Sequence, residues 1–129
     1  MLSPSSPTAV LRFDVGNPDR ALAVLIASAD ASRVMPALEF AQSCAQCGIA
    51  TAVAWTGASV GLLAEACRAP DTAAGLGPQV AALTATGARI LVCADAATTD
   101  VALALAGRFE MIAMTDLIGL IDGAQLIFI

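Results

Sequence analysis

The chain has 129 residues and a formal net charge of −5 at pH 7, with 58% hydrophobic and only 13% charged residues. This length allows one domain with a single core, and an acidic chain with six basic residues lacks the positive surface that DNA or RNA binding requires. Histidine and lysine are absent, which excludes Ser-His and Cys-His catalytic pairs, a P-loop lysine and a Schiff base.

The start of the chain and the lengths of its apolar runs indicate where in the cell the protein is located. The first seven residues lack the basic start and apolar centre of a secretory signal, and no apolar run reaches the ~20 residues of a membrane-spanning helix. We therefore expect a cytoplasmic protein with no membrane partner. Residues 1–19 are expected to be a tail, in which Val10–Val15 alternates as a short edge strand does, and residues 20–129 a single domain.

The first half of that domain predicts two strands and two helices. The continuous apolar run Ala21–Ala27 predicts a buried strand, and the polar residues after it supply an N-cap for a helix over 33–47. Ile49–Trp55 predicts the second strand, and a turn at Thr56–Ser59 leads into a helix ending near Ala69.

The second half continues the alternation of helix and strand. Its predicted elements are a loop over 70–77, a helix over 79–86 with Pro78 in its first turn, a strand over 90–93, a helix over 98–106, a short stretch over 111–114, a helix over 115–121 and a strand over 124–129. This order predicts a three-layer α/β/α fold with a mainly parallel sheet of about five strands. Because so few charges cover the surface, exposed apolar patches and a homo- or hetero-oligomer are expected.

Cys93 ends an apolar strand and precedes the helix predicted from Thr98. Open α/β sheets bind ligands at the carboxyl ends of their strands, and the free N–H groups of a helix start favour a thiolate. Nearby Asp95 and Asp100 oppose ionisation of the thiol. The position nominates Cys93 as a nucleophile, with a buried packing cysteine as the alternative.

Four stretches resemble the DsrE/DsrF-like family of small sulfur-relay proteins. They are, in chain order, ALEFAQSCAQCG, TAVAWTGASVGLL, LTATGARILVCADAAT and LIGLIDGAQLIFI. The resemblance covers roughly residues 20–129, and it implies the α/β fold and an activity as sulfurtransferase or sulfur carrier. It further implies that Cys93 carries a persulfide, that other thiol proteins donate and accept the sulfur, and that no cofactor takes part.

The residue types agree with such a role. A thiolate that accepts a sulfane sulfur and later returns it to another thiol needs no general base, which suits a chain without histidine. Thr98-Thr99-Asp100 stand where members of the family often have basic residues. The alternative that stays open is a non-catalytic oligomeric binding or assembly subunit on the same fold.

Cys44 and Cys47 form a CxxC pair, which invites a redox or zinc interpretation. Both lie at the end of a predicted helix, where the dipole disfavours thiolates, and zinc would need two further ligands such as Cys67 and Cys93. We therefore interpret Cys44, Cys47 and Cys67 as reduced packing residues and expect no metal site.

Several polar residues follow strands on the edge where Cys93 is expected. The candidate pocket or substrate-binding residues are Asp30, Arg33, Thr56, Gly57 and Asp95. For Asp30 the alternative role is that of a helix cap. Arg33 could supply the positive charge that the segment after Cys93 lacks. The glycine-containing turn over 56–61 also resembles part of a phosphate loop, which leaves a nucleotide or small-molecule sensor as a minor alternative.

Overall fold

The structure is a computed structural model that describes residues 21–68, 75–93 and 99–129. The predicted tail with its edge strand at Val10–Val15 lies outside the described residues, as do Asp95 and most of the loop expected after the second helix. None of the helices in the described part of the chain has the length and apolarity to cross a bilayer.

Strands and helices alternate along the chain as the apolar pattern predicts. The strands are β1 (Ala21–Ile26), β2 (Ala50–Trp55), β3 (Arg89–Cys93), β4 (Glu110–Ile112) and β5 (Gln125–Phe128). The helices are α1 (Ala31–Gln46), α2 (Ser59–Arg68), α3 (Leu76–Ala85), α4 (Thr99–Ala106) and α5 (Met114–Leu120).

The strands form one sheet in the order β4-β3-β2-β1-β5, and every neighbouring pair is parallel. This confirms the three-layer α/β/α class with a mainly parallel sheet. The chain steps from β1 to β4 in one direction, and α5 then returns it to β5 on the far side of β1. The strand order, which the apolar pattern left open, thus reverses between β1 and β5.

One face of the sheet carries the main core. Side chains of Val24, Ile26, Val53, Trp55 and Val92 point to this face and are at most 1% exposed. Helices α1 to α4 pack against them. Branched and aromatic side chains fill the wide space between a sheet and several helices, so this layer contributes most of the apolar burial.

The opposite face has a smaller core with smaller side chains. Leu25, Ala54, Leu91 and Cys93 point there from the strands, and Leu117 of α5 packs on them. Among the described elements, α5 alone covers this face, and it is seven residues long. The two faces therefore differ in how firmly they are closed.

Local signals explain where the helices begin. The Asp30 carboxylate accepts hydrogen bonds from the Ser32 N–H (3.0 Å) and hydroxyl (2.7 Å), so α1 starts two residues before the predicted position. Helix α3 starts three residues earlier than predicted, behind Gly75 at φ 81°, and Pro78 lies in its first turn as expected.

Candidate functional site

Cys93 lies at the carboxyl end of β3, between β2 and β4. The register pairs Trp55 with Val92 and Cys93 with Ile112, so Thr56, one residue past β2, comes level with Cys93. Side chains alternate along a strand, and Cys93 therefore faces the same side of the sheet as Leu91 and Ala54. The cysteine is thus on the edge where parallel sheets bind ligands.

The Cys93 side chain is 1% exposed. It belongs to the smaller core, with Leu25, Ala54, Leu91 and Leu117 as buried neighbours in the cluster. Met114 and Ile121, at the two ends of α5, are partly buried against the same cluster. Helix α5 therefore covers the thiol, and a partner protein cannot reach it in this conformation.

The segment that follows Cys93 bears on its activation. Residues 94–98, Asp95 among them, lie outside the described part of the chain, and α4 begins at Thr99, one residue later than predicted. Asp100 is exposed in the first turn of α4. A carboxylate at that position opposes an anion nearby, as the sequence indicates.

Ser59 is a site residue that sequence reasoning missed. Its hydroxyl oxygen, fully buried, lies 2.5 Å from the Ile26 carbonyl and 2.7 Å from the Thr56 carbonyl, and accepts from the Thr56 N–H at 3.1 Å. The Thr56 N–H also donates to the Ile26 carbonyl at 2.9 Å. Ser59 therefore ties the carboxyl ends of β1 and β2 together. The available clue in the sequence was a serine just after a strand and a turn signal.

Several N–H groups in and after the turn over Thr56–Ser59 are already paired within the protein. The N–H groups of Thr56, Ser59 and Val60 are all donated to carbonyls of β1 or of the turn itself. Gly57 has φ 59°, and a Cβ there would lie 4.0 Å from the Ala27 carbonyl oxygen. The turn therefore acts as a strand connection with a left-handed glycine, and the phosphate-loop interpretation gains no support.

Asp30 and Arg33 stand at the start of α1. Hydrogen bonds from the Ser32 hydroxyl and N–H lower the pKa of the Asp30 carboxyl, and the positive charge of Arg33 lowers it further. Both side chains are exposed. Because α1 packs on the main core, these residues belong to the face opposite the Cys93 side chain. Asp30 serves as the helix cap, and its predicted place in a pocket with Arg33 and Cys93 stays a prediction.

The other cysteines lie away from this edge. Cys44 is buried in the main core, Cys67 is partly buried against it, and Cys47 is exposed as the C-cap of α1. Burial, and then the neighbouring Cys47, raise the pKa of the Cys44 thiol. Such a thiol is less reactive than an ordinary one, in agreement with packing roles for the CxxC pair. Within the described ranges, no three metal-ligating side chains come together.

Two further features lie on the main-core face. The indole N–H of Trp55 is buried, with no hydrogen-bond partner among the described residues. A groove of about 580 Å³ between α2, α3 and the chain before β4 is lined mostly by apolar side chains, together with Thr84 and Arg108. Neither feature touches the smaller core that holds Cys93.

No protein-family model matches the chain, and a search of curated proteins finds no match. The likeness to the DsrE/DsrF-like family therefore depends on the four sequence stretches alone. Any function must be inferred from the chemistry and the geometry of the residues described above.

Proposed function

We propose that the chain is a sulfur carrier, as its resemblance to the DsrE/DsrF-like family implies, with Cys93 holding the sulfur and α5 covering it. The observation that carries the proposal is the position of this thiol. Of the four cysteines, only Cys93 ends a strand at the carboxyl edge of the sheet. It lies beneath a seven-residue helix in which a single side chain, that of Leu117, is buried.

The chemistry needs only this sulfur atom and two partner thiols. After the Cys93 thiol loses its proton to solvent, the thiolate attacks the terminal sulfur of a donor persulfide. A bond forms from Sγ to that sulfur, the donor's S–S bond breaks, and its electron pair leaves with the donor thiolate. The same exchange in reverse passes the sulfur to an acceptor thiolate. No net oxidation or reduction occurs, so the step needs no cofactor and no general base beyond water.

Burial of the thiol suits a carrier that is open only part of the time. A persulfide exposed to solvent reacts with any thiol or oxidant that it meets, and a closed site excludes such side reactions. Loading then requires α5 to lift. Local openings of this kind occur at free energies well below that of global unfolding, especially for short elements with few buried contacts.

The burial of Cys93 also favours a second candidate function. A cysteine that is 1% exposed among leucine and alanine side chains is also an ordinary small core residue. In that case the protein is a non-catalytic oligomeric binding or assembly subunit. The two candidates differ in whether Cys93 ever becomes reactive in the folded protein.

Intact mass after treatment with inorganic polysulfide tests the first candidate. We expect an adduct of about 32 Da, one sulfur atom, that peptide mapping assigns to Cys93. The adduct should persist in a Cys44→Ala, Cys47→Ala, Cys67→Ala variant and be lost when Cys93→Ala is added. Transfer to a small acceptor thiol should then restore the original mass.

The opposite result is equally clear. If the variant with Cys93 as its sole cysteine stays unmodified until denaturant is added, the thiol has a packing role and the second candidate stands. An adduct found only at the exposed Cys47 would lead to the same conclusion.

A further inference from the structure

The free edge of β5 borders an apolar groove. Among the described strands β5 pairs with β1 alone, so its other side faces away from the sheet. A groove of about 270 Å³ lies between α1 and β5 on the main-core side of the sheet. The described residues that line it are Val24, Pro36, Ala37, Phe40, Ile127 and Ile129, all of them apolar.

The main chain of β5 offers hydrogen bonds at the same edge. The Ile129 N–H donates to the Leu25 carbonyl at 2.8 Å, and the Ile129 carbonyl accepts from the Ala27 N–H at 3.2 Å. Main-chain groups alternate in direction along a strand, so those of Leu126 and Phe128 point away from β1. An occupant of this edge therefore combines the main-chain groups of a strand with apolar side chains for the groove.

The chain before β1 contains a segment with this pattern. Leu11, Phe13 and Val15 alternate there with Arg12 and Asp14. In an extended conformation, the three apolar side chains lie on one face and the two charged side chains on the other. The segment can thus present an apolar face to the groove and a charged face to solvent.

The length of the link to β1 decides which edge of the sheet this segment can reach. Five residues, 16–20, connect Val15 to the start of β1, and this link spans at most about 20 Å when fully extended. Strands are spaced by about 4.8 Å, so a strand beyond β5 is about 10 Å from β1 and one beyond β4 about 19 Å. Asn17-Pro18-Asp19 is a turn signal, which shortens the link. The β5 edge is therefore within reach, and the β4 edge is not.

The same link determines the direction of the segment. A parallel neighbour needs a crossover of about a dozen residues or more, because the chain must return along the whole length of the sheet. Five residues allow an antiparallel arrangement, in which the segment ends at the edge of the sheet where β1 and β5 both begin. The register pairs Leu22 with Gln125, so these two starts are level with each other.

The two edges of the sheet also differ in charge. At the far edge, β4 carries Glu110, whose carboxylate makes a two-point pair with Arg89 (3.0 and 2.8 Å). A charged group on an edge strand discourages pairing with another strand. Strand β5 contains neither a charged residue nor a proline, so nothing in its own sequence keeps its edge unpaired.

We propose that residues 10–15 form a sixth strand, antiparallel to β5, whose side chains Leu11, Phe13 and Val15 occupy the groove between α1 and β5. The segment would then cover an edge that is otherwise open to pairing with other chains. This pairing is independent of the role of Cys93.

One register satisfies both faces of the added strand. With Phe13 opposite Ile127, Arg12 lies opposite Phe128 and Asp14 opposite Leu126, because opposite residues of antiparallel strands share a face. Phe128 is 65% exposed, and the Arg12 guanidinium can stack on its ring. The charged face of the segment thus covers part of the exposed apolar surface of β5.

Amide hydrogen exchange of the full-length chain tests the pairing. The N–H groups of Leu126 and Phe128 should exchange at least about 10-fold more slowly in the wild type than in Phe13→Asp, because a carboxylate disfavours the apolar groove. The matched control is Ser5→Asp, which adds the same charge before the segment and should leave both rates unchanged. The Ile129 N–H, already bound to β1, serves as the reference in each variant.

Cross-linking tests the direction of the segment separately. In a Cys47→Ser, Cys67→Ser background, Asp14→Cys with Leu126→Cys should form an intramolecular disulfide, because opposite residues have Cα atoms about 5.5 Å apart. Val10→Cys with Leu126→Cys should not, since Val10 lies four residues, about 13 Å, farther along the strand. If the second pair cross-links and the first does not, the segment runs parallel to β5 and the proposal is wrong.

Two further results would overturn the proposal. Equal exchange of the Leu126 and Phe128 N–H groups in the wild type and in Phe13→Asp would show that the segment does not cover the edge. Protection that falls when the protein is diluted would identify a second copy of the chain as the occupant.

Discussion

The two faces of the sheet are closed by very different amounts of protein. Helices α1 to α4 cover one face over a core of branched and aromatic side chains, while α5 alone, among the described elements, covers the other. Cys93 and most of the exposed apolar side chains belong to the thinly covered face. The difference indicates that one face holds the fold together, which leaves the other free to open or to bind.

The largest effect should come from a cavity in the main core. Leu63 of α2 is fully buried there, and Leu63→Ala should lower the free energy of unfolding by about 2–5 kcal/mol. Chemical denaturation measures this loss. The matched variant Leu117→Ala removes the same atoms beneath α5 and should cost less, because a short helix can settle into the space. An equal loss of unfolding free energy in both variants would show that the two faces tolerate a cavity equally poorly.

Access to Cys93 should respond to α5 alone. Leu117→Ala weakens the hold of α5 by about 2 kcal/mol, so alkylation of Cys93 in the native protein should become roughly 30-fold faster. The neighbouring variant Ile118→Ala, on the exposed side of the same helix, should leave the rate unchanged. Equal rates in wild type and Leu117→Ala would show that α5 does not gate the thiol.

Substitution of Ser59 tests the hydrogen bonds that join the carboxyl ends of β1 and β2. Ser59→Ala leaves the Thr56 N–H and the Ile26 carbonyl with fewer partners in a buried place, and should cost about 1–2 kcal/mol of unfolding free energy. Thr84→Ala provides the control. Thr84 is exposed, and its hydroxyl donates to the Val80 carbonyl within the same helix. A loss no greater than that of the control would mean that solvent replaces the Ser59 bonds.

The smallest effect should be the acid dependence of the α1 cap. The pKa of Asp30 is lowered in the folded protein, so its stabilisation is present above the ordinary value of 3.8 and is lost as pH falls below it. The melting temperatures of wild type and Asp30→Asn should therefore differ most at neutral pH. The difference should shrink between pH of about 5 and 3. A difference that does not vary with pH would exclude the carboxylate as its source.

The sequence predicted the fold class because most strands of the sheet contain a continuous apolar run, and several helices have a start or stop signal. Asp30 and Pro78 mark such boundaries directly. The order of the strands in the sheet could not be predicted from the apolar pattern. It depends on where α5 carries the chain after β4, which is set by packing between distant segments.

The candidate site was predictable in part. That Cys93 ends a strand follows from the apolar run before it, and the structure agrees. That α5 would cover the thiol could not be inferred, because Leu117 is separated from Cys93 by two elements and its contact depends on a crossover of the chain. Placing Asp30 and Arg33 in a pocket with Cys93 stays a prediction, because it assumes that side chains following different strands at one sheet edge converge, while the buried side of α1 packs on the main core.

The single tryptophan gives this architecture a spectroscopic consequence. Trp55 is fully buried in the main core, and the chain has no tyrosine, so its ultraviolet emission comes from one side of the sheet. Lifting of α5 should leave that emission unchanged, whereas loss of the layer formed by α1 to α4 should shift it to longer wavelength. Fluorescence and thiol labelling will therefore record two separate events in the same sample.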